Sequence, residues 1–98
     1  MGLFVSHRVN EGMHIEGKGI SVDVIVKEIG GDIKFRTAIL EIKGVENLHY
    51  LNIKWFDGLV KIIDGVYVGV RDKRLSSKDK IRMHYSANDE YCFVRKDL

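Results

Sequence analysis

The sequence contains no proline and a single cysteine, and no apolar run of it approaches the length of a membrane span. A lone cysteine, Cys92, can form neither an internal disulfide nor a cysteine-based zinc site, which favours a reducing, cytoplasmic environment. A transmembrane helix, which needs about 20 apolar residues, is excluded. Residues 1–8 lack the basic and apolar regions of a secretory signal, so we predict none. Without proline, turns must come from Gly, Asn or Asp.

The chain also has little charge of one sign. Sixteen Lys and Arg residues stand against fourteen Asp and Glu residues, which leaves a net charge of +2. Binding of a polyanion by bulk charge usually needs a more basic chain. Any nucleic-acid site must therefore be a small patch. With 98 residues and 45% hydrophobic content, the chain is predicted to form a single domain, 1–98.

Short apolar runs with a period of two fill the sequence and are separated by glycine-containing turns. Ile81, Met83 and Tyr85, for example, alternate with polar residues, as in a strand with one buried face. We predict an all-β, small twisted-sheet or barrel-like domain with strands near 3–8, 13–16, 20–29, 33–42, 49–56, 59–63, 66–71, 80–86 and 90–94. The turns Asp57-Gly58 and Asp64-Gly65 suggest that 51–56, 59–63 and 66–70 form a meander. Residues 43–51 are compatible with either a strand or a helical turn.

Two separated parts of the chain, 3–29 and 80–98, carry a family pattern. The opening Leu3–Ile15, the Val-rich run Ile20–Ile29 and the final segment Ile81–Leu98 resemble the carbon storage regulator family, small bacterial RNA-binding proteins that regulate translation. The resemblance covers 3–29 and 80–98, so the chain would be a divergent member with a large insertion at 30–79. A rival alignment matches Asp32–Arg36 with the family's fourth strand and moves the insertion later.

The resemblance implies an interwoven homodimer in which RNA lies against the first strand of one subunit and the last strand of the other. The implied target is a GGA sequence in single-stranded or looped RNA, bound without a cofactor to control translation or mRNA stability. The implied RNA-binding residues are Val5, Ser6, His7, Arg8, Tyr91, Phe93, Arg95 and Leu98.

Several of these residues also have a structural interpretation. Tyr91 and Phe93 are as compatible with core packing as with base stacking, and Arg8 could pair with Glu11 or Asp97. A basic segment near residues 71–80 is either a solvated loop or a source of auxiliary phosphate contacts. Its cations are Arg71, Lys73, Arg74, Lys78 and Lys80.

Other chemistry has little support in the sequence. The four histidines have no metal-ligand spacing, and no nucleophile–base pair is suggested, so we predict neither a metal site nor an enzyme. Cys92 lies between Tyr91 and Phe93, and we expect it to be a buried, inert thiol.

Departures from the family pattern define an alternative function. They occur at His7, Asn10, Asn88 and Val94, and they suggest a protein–protein interaction module that has lost RNA binding. Trp55, Phe56 and Tyr67 would then form the contact surface. A third possibility is that the insertion itself binds nucleic acid. The family continues into a C-terminal helix after its last strand, so we expect the insertion to pack in the place of that helix with Trp55 and Phe56 buried.

Overall fold

The computed structural model describes residues 2–31, 36–71 and 79–97, with side chains up to Arg95. Within these ranges the chain forms nine strands and one 3₁₀ helix, so the predicted all-β class is confirmed. Each predicted strand is present, with ends that differ by a few residues. The strands are β1 (Gly2–His7), β2 (Glu11–Gly17), β3 (Ile20–Gly30), β4 (Thr37–Lys43), β5 (Tyr50–Lys54), β6 (Val60–Ile63), β7 (Val66–Val70), β8 (Ile81–Ala87) and β9 (Cys92–Asp97).

The strands make two antiparallel sheets and not a closed barrel. Sheet A has the order β1-β8-β7-β6, and sheet B has the order β5-β4-β3-β2-β9. Alternate residues of both sheets are buried in one shared core. On sheet A these include Ile81, Met83 and Tyr85, and on sheet B Val22, Val24 and Leu40. The apolar period of two therefore marks the faces that meet, because successive strand residues point to opposite sides of a sheet.

The two sheets are related by a shift of four strands. Sheet B runs β5-β4-β3-β2 and sheet A runs β1-β8-β7-β6, so the strand numbers at corresponding positions differ by four. The registers agree as well. Leu3 of β1 pairs with Tyr85 of β8, and Leu51 of β5, the residue equivalent to Leu3, pairs with Leu40 of β4. The chain thus consists of a first half, β1–β4, and a second half, β5–β8, that exchange their first strands. Strand β9 is additional and pairs with β2 of the first half.

The hairpin between the second and third strands of each half depends on positive φ. Lys18 and Gly19 have φ of 51° and 74°, and Gly65 has φ of 84°. Glycine adopts such values without steric cost, so these turns match the twist of their strands. The predicted Asp64-Gly65 hairpin is confirmed by the β6–β7 pairing.

The rest of the predicted meander is wrong. Strand β5 pairs with β4 in sheet B, whereas β6 belongs to sheet A. Between them the chain turns through a 3₁₀ helix at Trp55–Asp57, in which the Asp57 carboxylate accepts from the Lys54 N–H at 2.8 Å. Residues 44–49 form no helix either, since Gly44 and Asn47 have positive φ.

The expected burial of Trp55 and Phe56 is also wrong. Trp55 is 39% exposed and Phe56 is 64% exposed, because the 3₁₀ helix that carries them buries none of its residues. The rings instead make an edge-to-face pair with centroids 6.1 Å apart.

The region assigned to an insertion is part of both sheets. Its strands β4 and β5 extend sheet B beyond β3, and β6 and β7 extend sheet A beyond β8. Residues 32–35, which matter to the rival alignment, lie outside the described part of the chain. No helix in the described ranges is long and apolar enough to cross a membrane.

Candidate nucleic-acid interface

The first and last strands of this chain meet at one edge of the two-sheet sandwich. Strand β1 is the edge strand of sheet A, and β9 is the edge strand of sheet B. Arg95 of β9 joins them, because its Nη2 donates a hydrogen bond to the Ser6 carbonyl oxygen at 3.0 Å. The two elements that the resemblance assigns to different subunits are thus brought together within a single chain.

Two guanidinium groups lie close to this junction. The Arg8 and Arg95 side chains are 58% and 55% exposed. Glu11 organises them, because its Oε1 accepts from the Arg8 backbone N–H at 2.7 Å and lies 4.0 Å from Arg95 Nη2. We call the set Ser6, Arg8, Glu11, Asp79 and Arg95 the β1–β9 corner.

Among the described side chains, the ionic partner of Arg8 is Asp79, and the Asp97 side chain lies outside the described part of the chain. The Arg8 Nε lies 3.5 Å from Asp79 Oδ2, a carboxylate that is itself 65% exposed. Pairs this open to water stabilise a fold by only about 0–1 kcal/mol. The Arg8 guanidinium can therefore exchange Asp79 for a phosphate or a base at little cost in free energy.

Not every implied RNA-binding residue is accessible. The His7 side chain is fully buried, with Nε2 2.9 Å from the Tyr85 hydroxyl. Tyr91 is 2% exposed and its hydroxyl donates to the Asp64 carbonyl oxygen at 3.4 Å. Tyr91 therefore packs in the core, which is one of the two interpretations that the sequence left open. Neither ring is available for base stacking in this conformation.

The other implied residues are intermediate or outside the described part. Val5 and Phe93 are half-buried and pack against the core, with Phe93 6.0 Å from the Tyr85 ring. Ser6 is half-buried but offers its backbone at the sheet edge. Leu98 lies outside the described residues.

Tyr85 supports the corner from below. It is fully buried between His7 of β1 and Phe93 of β9, and burial raises the pKa of its hydroxyl. Its hydroxyl is hydrogen-bonded to the buried His7 imidazole of β1, and its ring packs against Phe93 of β9, so Tyr85 contacts both edge strands.

The basic segment is only partly described. Arg71 is exposed and Lys80 is half-buried, while Lys73, Arg74 and Lys78 lie outside the described residues. The Arg71 backbone N–H donates to the Arg82 carbonyl oxygen at 2.7 Å. This bond attaches the start of the segment to β8.

Cys92 is exposed, so the prediction of a buried thiol is wrong. It pairs with Glu16 on β2 while its neighbours Tyr91 and Phe93 point towards the core. The strand alternation that buries those two aromatic residues necessarily turns Cys92 outwards.

Sequence reasoning named Glu11 only as an ion-pair partner of Arg8, and it missed Asp79 of the corner. Glu11 follows Arg8 by three residues, a spacing that lets the carboxylate accept from the Arg8 backbone N–H in the β1–β2 turn. No local signal links Arg8 to Asp79, because their contact depends on the pairing of β1 with β8. Among the described residues, no group of three His, Cys, Asp or Glu side chains is arranged to hold a metal ion.

Comparison with known proteins finds no relative. No protein-family model matches the chain, and neither a curated protein nor a solved structure is similar to it.

Proposed function

We propose that this chain is an RNA-binding post-transcriptional regulator similar to the carbon storage regulator. It binds a GGA-type sequence in single-stranded or looped RNA at the β1–β9 corner and so controls translation or mRNA stability. The observation that carries the proposal is the contact of Arg95 with the Ser6 carbonyl oxygen, which joins the two strands that the resemblance assigns to RNA.

The chemistry of the corner supports this proposal. Planar guanidinium groups bind a phosphate or the edge of a guanine through two parallel hydrogen bonds. Single-stranded RNA exposes such base edges, whereas a paired helix hides them. Strand β1 is also an edge strand, and edge strands present backbone N–H and C=O groups that can bond to bases.

One chain suffices for this site. The resemblance led us to expect a homodimer with strands exchanged between subunits, and here the exchange joins the two halves of one chain. Homodimer formation stays a prediction, but the β1–β9 corner does not depend on it. Regulation follows from occupancy, since a protein bound over a ribosome-binding site excludes the ribosome without any chemical step.

Fluorescence anisotropy with a short hairpin RNA that displays GGA in its loop tests the proposal. A hairpin with the triplet scrambled is the control ligand, and both are titrated at two salt concentrations. We expect binding that depends on the triplet and weakens as salt rises, because phosphate contacts release counterions.

The Arg95→Ala variant tests the corner itself. Loss of one bidentate contact costs about 1–3 kcal/mol, so affinity for the GGA hairpin should fall roughly tenfold or more. Lys43→Ala is the matched control, because Lys43 is a 60% exposed cation on sheet B away from the corner. Equal affinity of the Arg95→Ala variant and the unaltered chain would refute the proposed site.

The alternative function, a protein–protein interaction module, has one observation in its favour. Trp55, Phe56 and Tyr67, the residues expected in its contact surface, are 39%, 64% and 37% exposed. Exposed aromatic residues are enriched at the centres of protein interfaces. This function would be favoured if the chain bound neither hairpin and instead bound a partner protein at high salt. The Phe56→Ala variant should then lose that partner.

A further inference from the structure

The outer face of sheet A carries aromatic rings and cations in alternation. Phe4 of β1 pairs in register with His84 of β8, and Ser6 pairs with Arg82. These side chains point away from the core, because their neighbours Met83 and Tyr85 are fully buried. Phe4 is 42% exposed although it is a large apolar residue.

The rings on this face are already arranged as a stacking surface. The Phe4 and His84 rings are stacked with centroids 4.3 Å apart and an interplanar angle of 19°. The guanidinium carbons of Arg71 and Arg82 lie 5.4 and 5.5 Å from the Phe4 ring centroid. We call Phe4, Arg71, Arg82 and His84 the aromatic face.

The aromatic face carries two positive charges, those of Arg71 and Arg82, and a histidine that is neutral near pH 7. Partial burial, and secondarily the charge of Arg71, lowers the pKa of His84. The imidazole is therefore neutral near pH 7, and a neutral ring stacks on a base without adding a further charge. Arg71 and Arg82 supply the cations that a phosphate backbone needs.

A pocket adjoins the aromatic face. Its volume is about 410 Å³, and Trp55, Leu59, Gly69, Arg71 and His84 are among the residues that line it. Gly69 lets the Gly58 backbone approach β7 closely at this pocket, since a Cβ at position 69 would lie 2.8 Å from the Gly58 carbonyl oxygen. Among the described residues that line it, none is acidic.

Single-stranded nucleic acid is the partner that fits this combination. Proteins that bind single strands place aromatic side chains under successive bases and cations along the backbone, and a four-stranded sheet is one platform on which they do so. Arg71 and Arg82 around the Phe4 ring add the positive charge that a phosphate backbone requires and that an apolar protein surface does not. The aromatic face also begins at the β1–β9 corner, because Arg82 pairs with Ser6, whose carbonyl oxygen binds Arg95.

We propose that nucleotides flanking the triplet bound at the β1–β9 corner stack on the aromatic face, and that one base enters the pocket beside Trp55. This inference rests on the proposed function and extends its footprint from one edge of the sandwich across the outer face of sheet A. The bound RNA then includes a flank that no residue of β9 touches.

Two RNA ligands separate the corner from the aromatic face. One is the GGA hairpin alone, and the other is the same hairpin with a single-stranded extension. For Phe4→Ala we expect unchanged affinity for the first and roughly tenfold weaker binding of the second, because one stacked base is lost. Tyr50→Ala is the matched control, since Tyr50 is a 62% exposed aromatic residue of sheet B.

Tryptophan fluorescence gives a direct readout. Trp55 is the only tryptophan in the sequence, so base stacking in the pocket should quench the protein's emission with the extended RNA but not with the hairpin alone. Arg82→Gln is a second variant that removes a cation of the aromatic face without shortening a core side chain, and it should weaken the extended RNA selectively.

The outcomes distinguish the two proposals. If Arg95→Ala weakens both ligands while Phe4→Ala and Arg82→Gln weaken neither, the aromatic face is refuted and the proposed function stands. If only the variants of the aromatic face weaken binding, the corner is refuted and the RNA site lies on sheet A. Absence of binding by the unaltered chain refutes both.

Discussion

The two halves of the chain place their first strands at equivalent edges of the sandwich, but with different neighbours. Strand β1 borders sheet A and has β9 beside it across the sandwich, joined by Arg95. Strand β5 borders sheet B at the opposite edge, and among the described residues no strand pairs with β6 in the place that β9 takes beside β2. In the described structure, therefore, only β1 has a neighbouring strand that supplies an arginine, Arg95 of β9.

The residues at the two edges follow this difference. His7 at the end of β1 is fully buried against Tyr85. Its counterpart in the register of the two halves is Trp55, which follows β5 and is 39% exposed. The end of the first strand is thus buried at the edge with the additional strand, whereas at the edge without it the equivalent residue is an exposed tryptophan. The additional strand β9 therefore makes the two edges of a repeated scaffold different.

The largest effect is expected from removing the core beneath the β1–β9 corner. Tyr85→Ala should lower the free energy of unfolding by about 3–5 kcal/mol, because a fully buried aromatic side chain leaves a cavity. Leu40→Ala, at the equivalent register position of the first half, should cost about 2–5 kcal/mol. Denaturant titration measures both values.

The two variants should also differ in RNA binding under conditions where both remain folded. Tyr85→Ala removes the side chain that lies between β1 and β9 and should weaken the GGA hairpin, whereas Leu40→Ala should not. A reversed order, with Leu40→Ala the more damaging to RNA binding, would contradict the assignment of the site to the β1 edge.

A smaller effect is expected on Tm, and its pH dependence should differ between the ion pairs of the two equivalent hairpins. In the first half, His14 Nδ1 and Asp23 Oδ1 are 2.6 Å apart, and the hydrogen bond from Asp23 raises the pKa of His14. This pair stabilises the folded state fully below the ordinary histidine pKa, and the contribution is lost as pH rises through the raised pKa. Asp23→Asn should therefore lower Tm more at pH 6 than at pH 8.

The hairpin of the second half should behave differently. Its fully exposed pair is Lys61 with Asp64, and the pKa of Asp64 is lowered by Lys61. The small contribution of that pair is present above the ordinary Asp pKa and is lost only in acid. Asp64→Asn should therefore change Tm equally at pH 6 and pH 8. The same pH dependence in both variants would mean that Asp23 does not act through His14.

Much of the fold was predictable from local patterns, and the sheet assignment was not. The alternation of Ile81, Met83 and Tyr85 and the Asp64-Gly65 turn predict strands and a hairpin, because side-chain direction and turn chemistry are local. Pairing of β5 with β4 and not with β6 is decided by the shared core. The repeat left a trace in the sequence, since Leu3 and Val5 match Leu51 and Ile53, but two apolar positions alone do not identify a duplication.

The candidate site was predictable to a similar extent. The resemblance named Arg8 and Arg95 but assigned their strands to different subunits, whereas here both lie at one corner of a single chain. Core packing of Tyr91 was one of two interpretations left open, whereas burial of His7 depends on how the sheets pack and could not be derived from the sequence. The ion pair of Arg8 with Asp79 joins residues far apart in sequence for the same reason.

The stoichiometry of RNA binding tests the central claim most directly. Native mass spectrometry of the complex with the GGA hairpin counts chains and RNA molecules together. We expect one RNA for each chain, because β1 and β9 of the same chain form the only corner with this arginine pair in the described structure. Two RNA molecules on one chain, or one RNA that requires two chains, would contradict the claim.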